Sequence, residues 1–122
     1  MIHVYDLPDS AAQSAIDTGE FPTSLTSHDH VAIVMTQSWC VEWLHMKSWL
    51  SRLEKKGKPE DREIHVYVLV YDKVGYFQRF MEHKESVFGN SLIPYVRYYS
   101  RGTFLGDSNY VHRGAFLDQF PA

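Results

Sequence analysis

Two short, largely apolar runs set the strongest limit on how this chain can fold. Val31-Ala32-Ile33-Val34-Met35 is too short for a helix and rich in branched residues, which fits a strand buried on both faces of a sheet. The run from Ile64 to Tyr71 repeats the pattern, with Ile64, Val66, Val68 and Val70 on one face and His65, Tyr67, Leu69 and Tyr71 on the other. Strands covered on both sides need helices on both sides. Between the runs, Trp43, Met46, Leu50 and Leu53 recur at three- and four-residue steps, which predicts a helix from about Val41 to Lys56. Lys55 and Lys56 place cations at its C-terminus, Gly57 supplies a stop and Pro59 a breaker.

The remaining segments extend the alternation. Ile2 to Tyr5 reads as a short strand before the Asp6-Leu7-Pro8-Asp9 turn, and Ser10 to Thr18 as a helix closed by Gly19. Phe77, Phe80, Met81 and Phe88 line a helix ending near Gly89-Asn90, and Tyr95 to Tyr99 returns to strand character. Ser100-Arg101-Gly102 is a hairpin signal, and Thr103-Phe104-Leu105 leads the returning strand. A final helix is predicted to include Ala115 to Phe120, with Phe116, Leu117 and Phe120 turned inward. The order is β-α-β-α-β-α-β-β-α, an α/β chain whose two apolar strands are central in a sheet. With 122 residues and no repeat or linker, it reads as one domain over residues 1–122.

Charge narrows the function. Twelve Lys and Arg against fifteen Asp and Glu give a net charge of -3, and the basic residues are not concentrated in any stretch, which argues against nucleic acid or an anionic membrane as partner. No apolar run approaches the roughly 18 residues needed to span a bilayer. Met1 to Ser10 lacks the pattern of a secretory signal, so a cytoplasmic location is expected. His28-Asp29-His30 reads as solvated loop, and His3, His45, His65, His83 and His112 show no ligand spacing, so neither a metal nor a cofactor is expected. Cys40 is the only cysteine, which excludes an intramolecular disulfide and a Cys-rich zinc site.

A strand, a short turn and Trp39-Cys40 at the start of a helix, with Ile93-Pro94 much later and leading into another strand, resemble the thioredoxin family over nearly the whole chain. The opening Ile2 to Asp6, the Arg101-Gly102 hairpin and the Phe116 to Phe120 tail look like their family counterparts. The resemblance implies a thioredoxin-like fold with a central mixed sheet flanked by helices, a cis peptide bond before Pro94 beside the reactive sulfur, and a groove for an extended peptide. Three departures bear on function. Trp43 stands where the family carries its second cysteine, and an indole cannot attack a mixed disulfide. Val34 matches the family's buried carboxylate. The stretch from Cys40 to Pro94 is longer than usual, chiefly around the helix carrying Phe77 and Phe80.

A helix N-terminus favours a thiolate at Cys40, whereas the Glu42 carboxylate opposes it and no cation flanks the cysteine, so an accessible thiol of modest reactivity is expected. Two functions follow. In the first, Cys40 acts alone as catalytic nucleophile, in monothiol disulfide exchange or reversible S-thiolation. Its partners are protein or peptide thiols and disulfides, including a low-molecular-weight thiol such as glutathione for release. Trp39, Val41, Glu42, Trp43, Ile93, Pro94 and Tyr95 line the substrate groove. In the second, the fold persists without redox activity, as a binding or scaffolding module that docks partners on Trp39, Trp43 and the Ile93-Pro94 loop.

Overall fold

The computed structural model describes residues 1–56 and 62–120. The two apolar runs form neighbouring strands. β2 (His30–Thr36) and β3 (Ile64–Val70) pair in parallel, with Val31 opposite His65 and Thr36 opposite Val70. β1 (Ile2–Asp6) pairs parallel to the other side of β3, and β4 (Tyr95–Ser100) runs antiparallel to β2. β5 (Thr103–Ser108) completes the sheet as the antiparallel partner of β4, giving the order β1-β3-β2-β4-β5. The hairpin between β4 and β5 places Arg101 and Gly102 at φ 49° and 82°, the pair of left-handed residues that a two-residue turn matched to strand twist requires.

Helices cover both faces. α3 (Val41–Lys56) and α5 (Arg113–Leu117) bury Trp43, Met46, Trp49, Leu50, Leu53 and Phe116 against one face. α1 (Asp9–Thr18) and α4 (Phe77–Ser86) cover the other, where Ala11, Ala12, Ala15 and Phe80 meet Val31, Ile33 and Met35. Gly19 closes α1 at φ 92°, its N–H donating to the Ala15 carbonyl at 2.8 Å. A four-residue helix, α2 (Thr23–Thr26), and a 3-10 turn at Tyr71–Lys73 add to the expected elements. The expected Gly57 stop and Pro59 breaker lie outside the described residues.

Two helix ends differ from expectation. α4 stops at Ser86 rather than near Gly89-Asn90, because Gly89 turns left-handed at φ 73° and the Asn90 N–H folds back onto the Lys84 carbonyl at 3.2 Å. α5 begins at Arg113 and ends at Leu117, earlier than the predicted span from Ala115 to Phe120. There Arg62 Nη1 donates to the carbonyls of Leu117 (3.0 Å) and Phe120 (2.7 Å), taking up acceptors that a longer helix would have used. Phe120 still turns inward, edge-on to Tyr98 and Phe116.

Candidate functional site

β2 and β3 are parallel, so their C-terminal ends adjoin, and the turn after β2 is built against the turn after β3. Ser38 donates to Asp72 twice, from its N–H to Oδ1 at 2.8 Å and from Oγ to Oδ2 at 2.6 Å. Burial raises the Asp72 pKa, but these hydrogen bonds outweigh it and leave the carboxyl below its ordinary value. Gln37 Nε2 donates to Tyr71 Oη at 3.3 Å, and Trp39 Nε1 donates to Gln37 Oε1 at 2.7 Å. Burial holds the Tyr71 phenol above its usual range. Cys40 follows directly, its N–H donating to the Gln37 carbonyl and its own carbonyl accepting the Leu44 N–H, so it stands at the first turn of α3.

The opposite wall comes from the segment before β4. The Ile93–Pro94 peptide bond is cis, and Cys40 Sγ faces the Ile93 carbonyl oxygen at 3.9 Å, a long thiol contact. Lys84 Nζ donates to the carbonyls of Asn90 and Leu92, both at 2.8 Å, and Asn109 Nδ2 donates to the Pro94 carbonyl at 3.2 Å. Asn90 and Asn109 exchange side-chain hydrogen bonds at 3.0 and 3.1 Å. Lys84 is fully buried at 0% exposure. None of Asp72, Lys84, Asn90 or Asn109 was singled out by sequence reasoning. Asp72 had a signal, because residues just past the C-terminal ends of adjacent parallel strands meet.

The site is more closed than expected. Cys40 is 3% exposed and belongs to the core beneath α3, packed in the same cluster as Trp43 and Ile93. The sequence predicted an accessible sulfur, and that expectation fails because the Ile93 segment, held down by Lys84, closes over it. Trp39 does not form the cover: it is 67% exposed, swung outward onto Gln37. Three of the expected groove residues, Trp43, Pro94 and Tyr95, offer no surface. Trp43 fills the core beneath α3, consistent with its place on the stripe of Met46 and Leu50, and Tyr95 is buried on the opposite face of the sheet. Val41 and Glu42 are exposed, Ile93 is half-buried and Pro94 is buried. Exposed Trp39, Val41 and Leu92 leave an apolar rim around the closed sulfur.

His28, Asp29 and His30 diverge. His28 stacks on His65 with ring centroids 3.8 Å apart, Asp29 accepts from Arg101 Nε at 2.8 Å, and His30 meets Phe120 edge-on. Among the described residues, no three potential metal ligands come together.

No family model matches the chain, and no curated protein matches it in sequence. Solved structures do match in shape. Thioredoxin O1 from Arabidopsis thaliana in its oxidized state superposes with a TM-score of 0.58 at 14% identity, over 96% of this chain and 92% of that one. Trxlp from Edwardsiella tarda gives 0.59 at 17% identity, over 94% of each chain. The reduced thioredoxin pre-protein of Schistosoma mansoni gives 0.56 at 17% identity, over 96% and 90%. At these identities the likeness establishes the fold: an α/β thioredoxin fold with a mixed five-stranded sheet flanked by helices. Among the described residues, no helix is long and apolar enough to cross a membrane.

Proposed function

We propose that this chain acts, as one thioredoxin-like domain over residues 1–122, in thiol redox chemistry through the single sulfur of Cys40. The observation that carries the reading is the position of Sγ, at the first turn of α3 and 3.9 Å from the Ile93 carbonyl beside Pro94. In the reaction, the Cys40 thiolate attacks one sulfur of a partner disulfide. A Cys40–partner disulfide forms, and the other partner sulfur leaves as a thiolate that takes up a proton. With Trp43 at the position that could otherwise supply a second thiol, release needs an external thiol. A low-molecular-weight thiol such as glutathione, as its thiolate, attacks the partner sulfur and expels Cys40 as thiolate. The sum is disulfide exchange, with as many disulfides after as before.

Burial makes access part of the mechanism. The sulfur reacts when the Asn90 to Leu92 segment opens, and Trp39, Val41, Glu42 and Ile93 line the approach. A protein or peptide disulfide and a cytoplasmic supply of small thiol suit this scheme. The experiment is intact-mass analysis after incubation with glutathione disulfide. The native protein is expected to gain one adduct, absent in Cys40→Ser and reversed by excess glutathione. An adduct that forms only in denaturant refutes the proposal.

A second reading is favoured by the exposed rim of Trp39, Val41 and Leu92 around a sulfur that is itself closed off. In it the chain docks partners without redox chemistry, and Cys40→Ser leaves partner capture intact.

A further inference from the structure

Arg52 lies twelve residues beyond Cys40 on α3, roughly 18 Å along the helix axis. There the helix meets α5 around an open cleft of about 390 Å³, lined by His45, Trp49, Arg52, His112, Arg113 and Gly114. That volume falls within the roughly 300–1,000 Å³ range of small-ligand sites. Its lining runs against the composition of the chain, since no carboxylate of the described residues lines it although acidic residues outnumber basic ones overall. Among the described residues, neither arginine has an ion pair. Arg52 Nη1 donates only to Ser48 Oγ at 2.8 Å. By contrast, Arg79, Arg97 and Arg101 are each paired with a carboxylate. The Tyr110 ring packs edge-on to both His45 and His112, the two imidazoles of the lining.

A second observation comes from Trp49. Its side chain is buried against Phe116, yet its indole N–H has no acceptor among the described residues. Leaving a buried donor unpaired costs about 1–3 kcal/mol, and such groups are rare in native structures. Two guanidinium groups without a carboxylate partner, two imidazoles and the residue that carries the orphaned N–H thus line one concavity. An oxyanion supplies the negative partner that both arginines lack among the described residues.

We propose that this cleft binds a small molecule through a phosphate group, with Arg52 and Arg113 taking its oxygens. Guanidinium forks match the spacing of phosphate oxygens, and a dianion supplies charge for both arginines at once. The site is independent of Cys40, and the proposal stands whether or not the thiol is redox-active.

The test is calorimetric titration of the full chain with phenyl phosphate, inorganic phosphate and, as a neutral control, benzyl alcohol. Saturable binding of phosphate-bearing probes is expected, weakened at least tenfold in Arg52→Gln and in Arg113→Gln. Arg79→Ala, which removes an exposed arginine of α4, should bind as the unaltered chain does. Tighter binding of phenyl phosphate than of inorganic phosphate identifies a phosphorylated metabolite as occupant, and equal binding identifies the free ion; both support the site. No saturable binding by either phosphate probe overturns the proposal. So does binding unchanged by both glutamine variants or lowered equally by Arg79→Ala. Both arginines are exposed, so their substitution leaves the core intact.

Discussion

Lys84 Nζ donates a 2.8 Å hydrogen bond to the carbonyl oxygen of Leu92, the residue before the Ile93 carbonyl that Cys40 Sγ faces. A second bond to the Asn90 carbonyl makes this buried ammonium a clasp on the segment that closes the sulfur. Hydrogen bonds of this kind contribute about 0.5–1.5 kcal/mol each, more where one partner is charged. Lys84→Met should therefore make the segment easier to open. Iodoacetamide alkylation of native Cys40, normalised to the rate in denaturant, is expected to rise about tenfold, the equivalent of about 1.4 kcal/mol in the opening equilibrium. An unchanged rate would show that Lys84 does not hold the cover.

The same ammonium sets a pH dependence. Burial pushes its pKa down to about 8 from an ordinary 10.5, with Glu85 opposing. The unfolded chain keeps the proton to higher pH than the folded one, so stability rises as pH increases from about 8 toward 10.5. Between pH 8 and 9.5 the gain amounts to about 1.5 kcal/mol. Above pH 10 the tyrosines work the other way: burial pushes Tyr95 and Tyr98 up to about 12, so the unfolded chain loses those protons first. Urea midpoints of the unaltered chain and Lys84→Met, compared across pH 8 to 9.5, should diverge. Parallel curves would remove Lys84 from the account.

How far the sequence spoke can be judged from these residues. Val31 to Met35, Ile64 to Val70 and the stripe from Trp43 to Leu53 are periodic and apolar, and the strands and helix follow from that pattern alone. Arg101-Gly102 was legible because a tight hairpin needs two left-handed residues. Lys84 and Arg97 were not, because a lone cation in a pattern reads as a solvated position. Their burial depends on carbonyls and hydroxyls brought together by the fold. The closure of Cys40 was hidden for the same reason, resting on a contact with Ile93 fifty-three positions away.

His83 extends the argument to acid. It is buried on α4, its ring meets Phe88 at 4.5 Å, and its Nε2 has no partner among the described residues. Burial lowers its pKa, Arg97 adding to the effect and Glu20 opposing it. The unfolded state then takes up a proton that the native state resists, so stability contributed by neutral His83 is lost as pH falls through about 6.5 and below. His83→Phe should be neutral or stabilising by up to about 1 kcal/mol at pH 7. Its melting temperature should also fall less between pH 7 and 5 than that of the unaltered chain. Some acid sensitivity should remain, since burial also lowers His30 and His65. A variant as acid-labile as its parent would show that His83 does not titrate as described.

Arg97 is the most densely bonded side chain of the sheet, and its shape matters as much as its charge. Nε donates to Tyr99 Oη at 2.8 Å, Nη1 to Tyr95 Oη at 3.1 Å and Nη2 to Glu20 Oε2 at 2.8 Å. The guanidinium plane also lies against Phe88 and Phe104, 4.0 and 4.1 Å from their ring centroids. A lysine keeps the charge but cannot present three directed donors and a flat face together. Glu20 remains partly exposed and can turn to water, which moderates the loss. Arg97→Lys is therefore expected to cost about 2 kcal/mol and Arg97→Met about 2–3 kcal/mol by urea denaturation. A double-mutant cycle with Phe104→Ala should give a coupling of about 1 kcal/mol, assigning part of the loss to stacking. If Arg97→Lys stays within about 0.5 kcal/mol of the unaltered chain, charge alone accounts for the site and the geometric argument fails.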